Sequence, residues 1–97
     1  MKIWALLRKQ QKIKKDIVIE FPQPRPAGLH EWQLVLGEIC QALQIGRPVV
    51  LSKHIAQLRQ FSRTAFMRDD FIEPITFDKF EVEIFPEPEG DVNAAKQ

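Results

Sequence analysis

The chain has no tyrosine, one cysteine, two histidines and four glycines among its 97 residues, and each scarcity removes a class of function. The lone Cys40 rules out an internal disulfide, which fits a reducing compartment. Gly28, Gly37, Gly46 and Gly90 stand apart from one another, so no Gly-rich loop is present to cradle a nucleotide phosphate with its amides. Neither Gly-x-Ser-x-Gly nor His-Glu-x-x-His occurs. The metal-ligand candidates are His30, His54, Cys40 and the Asp69-Asp70 pair, and their spacing fits no site of three or four converging ligands. Near the start the apolar run Ile3 to Leu7 is far shorter than the roughly 7–15 residues of a signal peptide core or the roughly 20 of a membrane span. These absences predict a cytoplasmic protein with no enzyme activity, no cofactor, no metal and no membrane partner.

What is present is a division of charge. From Met1 to Arg68 twelve Lys and Arg face four acids, giving +8, and from Asp69 to Gln97 two Lys face nine acids, giving −7. A net charge of +1 thus conceals a basic body and an acidic end. The two either neutralise each other within the fold or leave a basic face for a partner.

Periodicity supplies the architecture. Lys2 to Arg8 is apolar on both faces of a strand, with Ile3, Ala5 and Leu7 on one side and Trp4 and Leu6 on the other. In a second extended run, Ile13, Ile17, Ile19 and Phe21 share a side. The polar Lys9 to Lys12 link between the two runs predicts a hairpin, although it lacks an Asn-Gly or Asp-Gly turn. Pro22, Pro24 and Pro26 end the strand and form a connector. Trp32, Val35, Leu36, Ile39, Cys40 and Leu43 then recur at helical spacing, predicting a helix from Leu29 to Gln44 with Gly46 as its left-handed cap. Val49 to Leu51 is a strand stub or a buried connector. Ser52 caps a second helix carrying Ile55, Leu58 and Phe61. Strands follow at Arg63 to Met67 and Lys79 to Phe85, the latter with Phe80, Val82 and Ile84 inward and Glu81 and Glu83 outward.

The order β-β-α-α-β-β predicts an α+β fold in two layers, a mainly antiparallel sheet with both helices on one face. Residues 1–85 form the single domain, and 86–97, rich in Pro, Glu and Gly, form a disordered acidic tail. The stretches Arg47 to His54, Phe61 to Phe66, Asp69 to Phe71 and Phe77-Asp78, with the Met1-Lys2-Ile3-Trp4-Ala5 start, resemble a group of short uncharacterised proteins of Gram-positive anaerobic bacteria. That resemblance implies a bacterial cytoplasmic origin and assigns no catalytic residue.

Three candidate sites follow. With the helices on one face, Trp4, Leu6 and Val18 are left on the other, where a monomer should be polar; Leu34 and Gly37 add a patch on the first helix. Together these five predict an interface, with a second copy or another protein as partner. Arg8, Lys9, Lys12, Lys14 and Lys15 in the hairpin, with Arg59, Arg63 and Arg68, form the alternative, a nucleic-acid surface opposed by the ordinary use of lysine to protect sheet edges. Arg47, Ser52, Lys53 and His54 offer a small anion the start of the second helix, although a self-capped helix accounts for the same residues. The preferred reading is a small interaction or assembly module, homodimeric through its open sheet face.

Overall fold

The computed structural model of the chain describes residues 1–86; the expected tail, apart from Pro86, lies outside them. Four strands and two helices follow in the predicted order: β1 (Lys2–Lys9), β2 (Lys12–Glu20), α1 (Leu29–Leu43), α2 (Ser52–Phe61), β3 (Arg63–Met67) and β4 (Lys79–Ile84), with a 3-10 turn at Arg68–Asp70. The sheet is antiparallel throughout, in the order β2-β1-β4-β3. Two hairpin-like pairs, one from each end of the chain, therefore meet along β1 and β4, leaving β2 and β3 as edges.

Side chains alternate across a strand, and here the alternation separates the core from the open face. Ile3, Ala5 and Leu7 of β1, Phe66 of β3 and Phe80, Val82 and Ile84 of β4 are all buried against the apolar stripe of α1 and against Ile55 and Leu58 of α2. The stripe of α1 is the expected one, from Trp32 to Leu43. Both helices lie on this face, so the two-layer α+β arrangement holds. Among the described residues no helix is long and apolar enough to cross a membrane.

Three local details depart from the sequence reading. Ile13 does not share a side with Ile17, because a bulge between Leu7 and Arg8 pairs Ile13 with Arg8 and moves it onto the open face, where it is 46% exposed. Gln44, not Gly46, ends α1 in the left-handed region, at φ 60°, with its N–H and that of Ile45 donating to carbonyls of the last turn. Leu51, not Ser52, is the N-cap of α2.

The first hairpin turns on Gln10 and Gln11, at φ 53° and 69°, between paired Lys9 and Lys12. Two successive positive φ angles are what a two-residue type I′ turn requires, and Asn-Gly satisfies it with least strain. The tight turn persists with glutamines because its surroundings hold it: the Gln10 N–H donates to Asp78 Oδ2 at 2.7 Å and the Asp78 N–H to the Arg8 carbonyl at 2.8 Å. A left-handed L-residue costs about 1–2 kcal/mol. Changing Gln10→Asn and Gln11→Gly together is expected to raise the urea midpoint by the equivalent of about 1 kcal/mol at unchanged slope. A lowered midpoint would contradict the turn assignment.

Candidate functional site

The helix-free face of the sheet carries Trp4, Leu6 and Arg8 from β1, Asp16, Val18 and Glu20 from β2, Lys79, Glu81 and Glu83 from β4, and Arg63, Ala65 and Met67 from β3. Leu6 sits at its centre, opposite Asp16 on one side and Glu81 on the other. Both neighbours are tied across it: the Trp4 indole Nε1 donates to Asp16 Oδ2 at 2.9 Å, and the Arg8 guanidinium pairs with Glu81, which Lys79 approaches to 3.8 Å. These two diagonal pairs close over Leu6, which is only 1% exposed. The cover expected from a partner chain is thus largely supplied at Leu6 by its own strand neighbours. Val18 remains 49% exposed, and Met67 at the far edge 48%.

The two edges differ in what their backbones offer. The Phe21 N–H donates to the Met1 carbonyl at 2.6 Å, which fixes the alternation of the β1–β2 ladder. By that alternation Lys15, Ile17 and Ile19 address β1, while the amide and carbonyl groups of Asp16, Val18 and Glu20 point outward. On β3 the Ile84 N–H bond to the Ser62 carbonyl, 2.7 Å, directs Thr64 and Phe66 to β4 and leaves Arg63, Ala65 and Met67 outward. The Met67 amide is already taken by Asp70 Oδ2 at 2.8 Å.

The basic residues do not form one patch. Arg8 is paired with Glu81, Arg68 lies 3.4 Å from Asp78, and Arg63 stands opposite Glu83. Arg59 donates to the Ala27 carbonyl at 3.4 Å. Lys15 donates to the Leu43 carbonyl at 3.0 Å, where the negative end of α1 favours a cation, and Lys14 donates to Thr76 Oγ1 at 3.2 Å. Lys9 and Lys12 face each other at the exposed hairpin tip.

The expected anion site is not gathered at one point. Ser52 and Lys53 are exposed, but the His54 imidazole turns into the core, 1% exposed, with its ring centroid 4.3 Å from that of Phe66. Its Nδ1 accepts the Leu51 N–H at 2.9 Å, so the neutral ring carries its proton on Nε2. Nε2 is 3.6 Å from Asp70 Oδ2 and has no hydrogen-bond partner among the described residues. Burial holds the His54 pKa below its ordinary value, with Asp70 pulling upward and Lys53 pressing it further down. His54 is therefore a neutral structural group, and an acid rather than an open space lies beyond it.

Arg47 lies elsewhere, along α1. A Cβ on Gly37 would meet the Arg47 guanidinium carbon at 2.6 Å, so the bare glycine lets that group rest against the helix. Gly37 is buried beneath it, whereas Leu34 is 57% exposed. The close packing that a mid-helix glycine suggests is thus made within the chain. Arg47, Gln33, Leu36, Pro48 and Val50 line a shallow groove of about 270 Å³. Cys40 beside it is buried, and burial pushes its thiol up to about 11 against the opposing pull of Arg47, so it is protonated at neutral pH and is no nucleophile. Among the described residues no three His, Cys, Asp or Glu side chains come together as metal ligands.

The outward amides of β2 escaped the sequence reading, because an edge strand is recognised only once strand order is known. The His54–Asp70 approach was equally hidden, 16 positions apart with no motif linking them. No family model, curated protein or solved structure matches the chain.

Proposed function

We propose that this chain is a small interaction or assembly module without catalytic activity, and that its partner is a second copy of itself. The observation that carries this reading is the incomplete cover along β2. Val18 is half exposed on the open face, and Ile17 and Ile19 are only partly buried on the helix face, at the margin of the core. A domain of about 100 residues buries a smaller share of its surface than a larger one, so association adds usefully to its stability. The buried Cys40 and the inward-facing His54 are in keeping with this reading among the described residues. Sedimentation equilibrium over a range from micromolar to millimolar protein tests the reading: an average mass rising towards twice the monomer is expected, and a monomer throughout would overturn it.

The nucleic-acid alternative now rests on Lys9, Lys12, Lys14, Lys15 and Arg59, since Arg8, Arg63 and Arg68 face acids on the protein itself. Cations divided between the hairpin and α2, three of them bonded to oxygens of the chain, support little affinity, and mixed single- and double-stranded oligonucleotides at low salt should not bind measurably. Tight binding that weakens steeply with salt, and that disappears on changing Lys9 and Lys12 to Glu, would promote this alternative.

A further inference from the structure

We propose that two copies of the chain pair antiparallel through their β2 edges, in a register centred on Ile17, to make one continuous eight-stranded sheet. This rests on the self-association reading above and names the surface it uses.

The edge is open and long enough. β2 is nine residues long, and its outward amide and carbonyl groups at Asp16, Val18 and Glu20 form a regular row, beyond the bulge and before Pro22. β3 is the poorer edge, with five residues and the Met67 amide already bonded to Asp70.

Charge then selects the register. Outward groups must meet outward groups, so within the regular row beyond the bulge Asp16, Val18 and Glu20 oppose one another. Centring the pair on Val18 sets Asp16 against Glu20 of the second copy twice. Centring it on Asp16 sets two aspartates together. Like charges directly opposite are destabilising in both. Centring on Ile19 sets Asp16 against Pro22 of the second copy, which has no N–H to donate. With Ile17 at the centre, Asp16 faces Val18 of the second copy, a pair made twice by the two-fold axis, and no two acids stand opposite each other. On the helix face the two Ile17 side chains meet, flanked by Ile19, and close the margin that the monomer leaves partly covered.

The test uses the full chain and two kinds of variant. Val18→Pro deletes an outward N–H without touching the β1 ladder, and proline is tolerated at such edge positions. The monomer should therefore keep its circular dichroism spectrum while the dimer dissociation constant rises by about tenfold or more, two interchain hydrogen bonds being lost. Val18→Glu should also weaken the dimer and Val18→Lys strengthen it, because each new charge stands opposite Asp16 of the second copy; this pair also serves if the proline variant fails to fold. A wild type that is monomeric at every concentration overturns both this proposal and the self-association reading. A wild-type dimer that is indifferent to all of these changes overturns the β2 edge alone.

Discussion

Replacing His54 with alanine is expected to cost about 3 kcal/mol of stability, more than loss of a surface group at a helix start would cost. Two losses combine at this position. The imidazole leaves a cavity where it lay against Phe66, and the Leu51 N–H loses the acceptor that fixes the entry into α2. His54→Gln should be milder, because a glutamine at the third helical position can still reach back to the N-cap N–H. The two variants also separate packing from titration. The folded pKa of His54 is lowered from 6.5, so below about pH 6.5 the unfolded chain takes up a proton that the fold excludes. The associated stability is fully present above the unfolded value and is lost as pH falls through the folded one. Urea midpoints measured between about pH 7.5 and 5.5 should therefore fall in the wild type and fall less in His54→Gln. Equal slopes would contradict the buried neutral histidine.

Leu6→Ala is expected to cost about 2–4 kcal/mol, as for a buried core leucine, although Leu6 lies on the face without helices. The reason is its cover by Trp4–Asp16 on one side and Arg8–Glu81 on the other. This loss should appear in urea unfolding at protein concentrations low enough for the chain to be monomeric. If a partner chain were the only cover of Leu6, the monomer would show almost no loss, and the loss would grow with protein concentration instead. Asp16→Ala should reproduce a smaller part of the effect, since it removes one of the two covering pairs and leaves the leucine in place.

The parts of this fold legible in the sequence are those set by local period. The stripe from Trp32 to Leu43 and the alternation of Phe80, Val82 and Ile84 gave element types and the face each buries, and from these follow two helices on one side of an antiparallel sheet. Strand order was not legible, because β1 pairs with β4 across more than 70 residues with no local trace of the contact. The turn residues misled for a related reason. Gln10, Gln11, Gln44 and Ser62 all adopt positive φ, and non-glycine residues hold such angles only where surrounding bonds impose them.

The candidate site was legible in outline. Trp4, Leu6 and Val18 do share the helix-free face, but the diagonal pairing that covers Leu6 depends on register, which their identities do not reveal. Ser52, Lys53 and His54 read as the polar start of a helix, and only the position of Phe66 on β3 explains why the histidine turns inward. Gly37 reads as part of a helix patch for a partner, with nothing in its surroundings in sequence to indicate that Arg47, ten positions later, rests against it.

The most direct measurement of the β2 pairing is residue-resolved amide exchange at two protein concentrations. In dilute solution the outward N–H groups of Asp16, Val18 and Glu20 should exchange rapidly, while those of Ile17 and Ile19, bonded to β1, are protected. In concentrated solution Asp16 and Val18 should gain protection, and Arg63 and Ala65 on the opposite edge should not. Unchanged fast exchange at Val18 in a sample shown to be dimeric, or new protection at Arg63 and Ala65 in its place, would contradict the account.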